Sequence, residues 1–178
     1  MLDKIITSRT RVKLLLKFFS NESNSAYLRG LAEEFGESTN SVRVELNRLA
    51  EAGLLESQPS GNTILYRANE RNALFPELKA MVSKYLGFDR IVEQVVLKIG
   101  SIDLALVTGS YAQGIDSGII DIVLVGEINK RSLVSYIERT EKMINRKVRS
   151  LILTPKEFSK YKENLTTNPH IILWGQTT

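Results

Sequence analysis

Two short stretches carry residue types that could do chemistry. In the first, Ser38, Thr39, Asn40, Ser41, Arg43 and Asn47 place short hydrogen-bonding groups and one guanidinium at the start and along one face of a helix. Such a set suits base edges and phosphates, with the helix entering a major groove N-terminus first. The second stretch is Gly109-Ser110-Tyr111-Ala112-Gln113-Gly114, a glycine-bounded loop, followed by Asp121 inside the apolar run 119–125. A carboxylate within an apolar strand needs a partner. A salt bridge to Arg149 on a neighbouring strand would supply one, and so would a metal ion. Gly109 and Ser110 make either a tight turn or an anion pocket, since a helix N-terminus favours negative charge.

Composition removes most other chemistries. The 178 residues include no cysteine and one histidine, His170. Disulfides, thiolate zinc sites, iron–sulfur clusters and cysteine nucleophiles are excluded, and serine triads have almost nothing to build from. His170, beside Pro169, reads as a surface residue. Apolar residues at 43% and charged residues at 25% describe a folded chain. The net charge of +4 is spread evenly, with no basic tail that would itself demand nucleic acid. No apolar run approaches the roughly 18–20 residues of a spanning helix, and MLDKIITSRTR lacks a signal-peptide core. The expectation is a cytoplasmic protein with no membrane partner.

The elements that must position the first stretch follow from periodicity. Val12, Leu15, Leu16 and Phe19 form one stripe of a helix starting near Ser8, which SNESNS (20–25) breaks. Leu28, Leu31, Ala32 and Phe35 repeat the spacing, with Gly36 at the C-cap. Ser38 or Thr39 caps a third helix, striped by Val42, Leu46, Leu49 and Ala50 and ended by Gly53. Two strands, 54–58 and 63–67, flank the turn Pro59-Ser60-Gly61-Asn62. The three-residue turn Gly36-Glu37-Ser38 allows the steep crossing of a helix-turn-helix, and the hairpin adds a wing. LRGLAEEFGESTNSVRVELNRLAEAGLL with ESQPSGNTILYRAN resembles the winged helix-turn-helix of ArsR-like bacterial transcriptional regulators over residues 8–70. The alternative is a winged helix used only for protein contacts. The exposed residues of the third helix favour DNA: Arg43 as base reader, Ser38, Thr39 and Ser41 as caps or phosphate contacts, and Asn40 and Asn47 beside them. Glu37 and Glu45 are the nearest acids, and Glu45 should face away. Asn62 and Arg67 in the wing could reach the backbone or minor groove, although Asn62 also suits a plain turn.

Residues 69–75 read as a linker, and Pro76 opens a helix stopped by Gly87. A second helix runs from Phe88 to Ile99. Strands follow at 102–107, 119–125 and 147–153, with a helix begun near Asn129. Thr154-Pro155-Lys156-Glu157 is a capping box that opens a last helix. Ile171–Trp174 is a short strand or a docked segment. Lys130, Arg131, Arg146 and Lys147 read as solvated charge.

The order strand, Gly-Ser-x-Ala-x-Gly, acid-bearing strand resembles the minimal nucleotidyltransferases over residues 88–160. The resemblance implies that Gly109 and Ser110 cradle nucleotide phosphates. It further implies that three carboxylates on two strands hold two Mg²⁺ ions. Asp121 occupies one of those positions. Ile119 stands at the second, and Arg149, or else Ser150, at the third. Asp116 could swing in from the loop. An isoleucine cannot bind a hard cation, so the expectation is a catalytically inactive domain.

The resulting expectation is a two-domain α/β protein. A winged helix-turn-helix (1–75) joins through a linker helix (76–87) to a nucleotidyltransferase-like domain with a small mixed sheet (88–178). It would act as a DNA-binding transcriptional regulator, homodimeric on a palindrome through the helices at 8–19 and 77–99. Its second domain would serve sensing, dimerisation or binding of a nucleotide or protein partner, with Gly109, Ser110 and Asp121 as a vestigial nucleotide site. No cofactor and no metal are expected. The alternative is an active Mg²⁺-dependent nucleotidyltransferase targeted by its winged helix, with membership of a toxin–antitoxin pair as a further alternative; nucleotide and Mg²⁺ belong only to these readings.

Overall fold

The computed structural model describes residues 5–176, and the chain divides into two compact units, Met1–Val82 and Ser83–Thr178. It is a mixed α/β protein, with a three-stranded sheet in the first unit and a four-stranded sheet in the second. No helix among the described residues is long and apolar enough to cross a membrane.

In the first unit, α1 (Arg9–Phe19) begins at Ser8, whose side chain accepts from the Arg11 amide. Its apolar residues are buried: Leu14 and Phe18 are wholly so, and Phe19 packs against the Phe75 ring at 5.8 Å. The apolar face of this helix is therefore not available to a second copy. A short strand, β1 (Ser25–Tyr27), follows. Periodicity misses it, because three residues show no alternation; its pairing with a distant strand makes it. Next come α2 (Leu28–Phe35) and α3 (Thr39–Glu51). Between them Gly36 adopts φ 64°, a left-handed turn open to glycine without a Cβ penalty. Its amide and that of Glu37 satisfy carbonyls at the end of α2.

The strands β2 (Leu55–Ser60) and β3 (Thr63–Ala68) pair in register up to Ser60 opposite Thr63. The expected four-residue turn is thus two residues, Gly61-Asn62, with Gly61 at φ 59° in the position a type II′ hairpin requires. Pro59 sits inside β2, which is tolerated because β2 is an edge strand in the order β1-β3-β2. Three helices and a β-hairpin in this order make a winged helix-turn-helix. The segment read as a linker is fastened: the Asn69 and Asn72 side chains both donate to the Gly53 carbonyl. The helix α4 (Phe75–Leu86) follows, and the division between the units falls within it.

In the second unit the expected helix from Phe88 to Ile99 is instead α5 (Phe88–Ile91) running into a π-helical turn over Val92–Val96. The Leu97 amide reaches back to Val92, the i→i+5 bond of that geometry. Then come β4 (Gly100–Thr108), the single-turn α6 (Gly109–Ala112), β5 (Ile119–Ile128), α7 (Lys130–Ile144), β6 (Lys147–Leu153), α8 (Pro155–Thr167) and β7 (Ile171–Gly175). The sheet order is β6-β5-β4-β7; β5 and β6 are parallel and the other pairs antiparallel, so the sheet is mixed. Ile171–Gly175 is therefore a strand, paired to β4. Consecutive residues of β5, from Ile122 to Val125, are all buried, which requires both faces of the sheet to be covered. On one face Leu104, Leu106, Val123, Val125 and Leu153 pack against Phe158 of α8.

Candidate functional site

The exposed side of α3 follows from what its other side buries. Val42, Leu46 and Leu49 point into the unit and so does Glu45, leaving Asn40, Arg43, Val44 and Asn47 outward. Ser38 is spent as the N-cap, its hydroxyl accepting from the Ser41 amide at 3.1 Å. The Ser41 hydroxyl lies 3.3 Å from that of Thr10 on α1, so it faces the scaffold. Thr39, Asn40, Arg43 and Asn47 are exposed, and no other described residue bonds to their side chains.

The two acids nearest this face are neutralised from behind. Glu45 is buried and takes a bond from Arg11 Nε at 2.8 Å and one from Arg48 Nη1 at 3.0 Å. Glu37 takes the Lys13 ammonium at 2.8 Å and the Thr10 hydroxyl. Burial pushes both carboxyls up, but these hydrogen bonds and charges outweigh it and hold each below the ordinary carboxylate range. Arg43 is left as an exposed positive charge whose two nearest acids, Glu37 and Glu45, are cancelled, while Glu51, one turn beyond Asn47, is exposed and unpaired among the described residues.

The wing contributes less than its composition suggests. Asn62 is exposed at the hairpin tip. Arg67 stands opposite Glu56 near the base of the hairpin, with its Nε and Nη2 both on Glu56 Oε2, at 3.1 and 2.9 Å. It lies away from the tip and is paired with Glu56, with 59% of its side chain exposed. Sequence reasoning also missed Val44. The available signal was an apolar residue off the Val42–Leu46–Leu49 stripe.

In the second unit the structure brings Gly109, Asp121 and Arg149 together. Thr108 pairs with Asp121 across β4 and β5, and Asp121 with Arg149 across β5 and β6. Gly109 has φ 67°, and a Cβ there would stand 2.8 Å from Asp121 Oδ2, so only glycine lets the loop pass so close. Arg149 grips Asp121 through two bonds, Nε to Oδ1 at 2.6 Å and Nη2 to Oδ2 at 2.9 Å. Ile119, two residues before Asp121 on β5, is 40% exposed. Ser110 lies partly buried in α6, which is a single turn of four residues.

Asp116 is not a carboxylate that could swing toward an ion. Its Oδ2 lies 2.5 Å from Arg146 Nη2, and its Oδ1 takes the Tyr111 hydroxyl. Arg146 Nε also donates to the Tyr111 oxygen at 3.0 Å, and its Nη1 donates to the carbonyls of Tyr85 and Ile144. The guanidinium stacks over the Tyr85 ring at 5.1 Å. Arg146 is thus a largely buried structural group, its side chain 11% exposed, and not the solvated charge that its sequence neighbours suggested. Burial alone would raise the Asp116 carboxyl; the bonds from Arg146 and Tyr111 overcome it and hold the group below its usual range. Tyr111 is pushed well up by burial and by the adjacent carboxylate. His170 is half-buried, with Nδ1 3.0 Å from the Asn168 carbonyl oxygen. Among the described residues, no group of three or more His, Asp or Glu side chains is placed to hold a metal ion.

No family model and no curated protein matches the sequence. Among solved structures, the chain is similar to reduced HlyU from Vibrio cholerae N16961, at 20% identity and TM-score 0.36, over 47% of this chain and 79% of that one. It is similar to the AntR antimony-specific transcriptional repressor at 26% identity and TM-score 0.37, over 50% and 72%. A structure of the tri-AMPylated Shewanella oneidensis HEPN toxin in complex with MNT antitoxin matches at 14% identity and TM-score 0.37, over 51% and 71%. With TM-scores this far below 0.5, none of these similarities carries weight in assigning a function.

Proposed function

We propose that the chain is a DNA-binding transcriptional regulator of the ArsR-like winged-helix type, reading duplex DNA with α3. One observation carries this reading. The exposed face of α3 offers Thr39, Asn40, Arg43 and Asn47 without internal partners, while Glu37 and Glu45 are cancelled by Lys13, Arg11 and Arg48. Burial alone obliges Glu45 to be paired; the consequence here is that the N-terminal half of the face meets a polyanion with its nearest acids cancelled. One such helix reads a short site, so two copies on a palindrome are part of the proposal. The apolar stripes of α1 and of the helical region 77–99 are both buried, so a contact through either region would use its exposed residues instead. Incubation with fragmented genomic DNA, followed by gel shift and footprinting, tests this. Protected sites with two-fold symmetry are expected, and a complete lack of protection ends the reading.

The second unit is proposed to be a catalytically degenerate nucleotidyltransferase-like domain serving sensing, dimerisation or partner binding, without a metal or nucleotide cofactor. The donor set supports this. Two Mg²⁺ ions require several oxygen ligands in fixed geometry. Here Asp121 is gripped by Arg149, Asp116 by Arg146, and Ile119 offers no oxygen. Incubation with labelled nucleoside triphosphates and Mg²⁺ should transfer no label to protein, RNA or small-molecule acceptors. Transfer that Asp121→Ala abolishes would establish the enzymatic alternative instead.

A further inference from the structure

Val44 is out of place among its neighbours. It is 41% exposed at the middle of α3, one turn beyond Asn40 and beside Arg43, with Asn47 and Arg48 following. A β-branched residue gives up helix propensity at an exposed position and gains no burial there. Isolated exposed apolar side chains are common on protein surfaces. This one, however, sits on the single face of α3 that the unit leaves uncovered, among the groups that would meet base edges. In a major groove only one group matches it: the C5-methyl of thymine, the apolar mark that distinguishes an A·T pair from the rest.

Accepting α3 as the DNA-reading helix, we propose that Val44 is a specificity-determining residue that packs against a thymine methyl in each half-site. Arg43, its immediate neighbour, would then bond to a guanine close to that thymine, because a bidentate arginine pairs with the O6 and N7 of guanine. The operator so described contains a guanine and a thymine within the few base pairs that one helix can span. The two residues divide the work. Arg43 contributes charge and hydrogen bonds that act on many sequences weakly and on one strongly; Val44 contributes a contact that only a methylated pyrimidine satisfies.

The test uses the full chain. Duplexes are enriched from a random-sequence pool, and binding to the selected site is measured by fluorescence anisotropy. Each thymine in the site is replaced in turn by deoxyuridine, which removes the methyl and nothing else. One thymine per half-site should be sensitive, with affinity falling about fourfold, the worth of one buried methyl group. The protein variant Val44→Ala should bind the unmodified site about as weakly as the wild type binds the deoxyuridine site. It should also lose all further sensitivity to that replacement. Alanine is the best helix former, so this variant keeps its fold. Equal sensitivity of Val44→Ala and wild type at every thymine overturns the proposal while leaving DNA binding intact. Failure of the chain to enrich any duplex overturns both readings.

Discussion

The two candidate sites use arginines on carboxylates in the same way and arrive at opposite results. In the winged helix, Arg11, Arg48 and Lys13 hold Glu45 and Glu37, and these acids lie behind the face that looks outward. Cancelling them makes that face a better partner for an anion. In the second unit, Arg149 and Arg146 hold Asp121 and Asp116, and on the proposed reading these acids are the groups that a metal ion would have needed. Cancelling them takes both carboxylates out of that role. An ion pair thus has no fixed meaning for function; what matters is whether the carboxylate it consumes is scaffold or reagent.

The comparison is broken most forcefully at Arg146. Its pair with Asp116 is largely buried, and removing one partner of such a pair strands the other charge at a cost of about 3–5 kcal/mol. Arg146→Met should therefore lower stability in urea-induced unfolding by an amount in that range. Adding Asp116→Asn to it should recover part of the loss, a coupling that a double-mutant cycle measures.

On the other side of the comparison, Arg43→Ala should weaken binding to a selected operator by about 1–3 kcal/mol in anisotropy titrations. Urea unfolding should be unchanged by it, because the Arg43 side chain bonds to no described residue.

Acid sharpens the contrast. Glu37, Glu45 and Asp116 are all depressed in the folded chain, so near and below the ordinary glutamate value of 4.5 the unfolded chain binds protons that the folded one does not. Stability from these groups is complete above that pH and declines as pH falls through their folded values. Thermal unfolding followed by circular dichroism should show a melting temperature steady with respect to these groups above pH 5 and dropping below 4.5. Glu45→Gln should flatten the part of this drop that belongs to the winged helix.

The smallest effect is expected at Arg149. Its side chain is 69% exposed, and exposed pairs add little to stability even when the geometry is bidentate. Arg149→Ala should leave the unfolding midpoint where it was, as read by the same urea titration. It also frees Asp121, and titration calorimetry with Mg²⁺ should still register no binding, because one strand carboxylate does not hold a hard divalent ion in register.

Much of the local structure is legible in the chain itself. The stripes Val12–Leu15–Leu16–Phe19 and Val42–Leu46–Leu49, the cap at Ser38, the left-handed stop at Gly36 and the Thr154–Glu157 capping box all stand where spacing places them. These features depend on residues within a turn or two of each other, so the physics is local and the sequence carries it. Short or context-made elements are less legible. β1 exists because β3 offers it partners forty residues away, and Pro59 stays in a strand because that strand has an unpaired edge.

By itself, then, the sequence determined most of the helices and longer strands, that one helix carries a set of short polar residues and an arginine on one face, and that Ile119 rather than an acid stands two residues before Asp121. Only the tertiary structure decided which charges are spent. Arg146 and Asp116 are thirty residues apart, and Arg11 and Glu45 thirty-four. No periodicity links such pairs. They meet because packing of apolar faces brings their elements together, and the strength of each pair is set by how much water that packing leaves beside it.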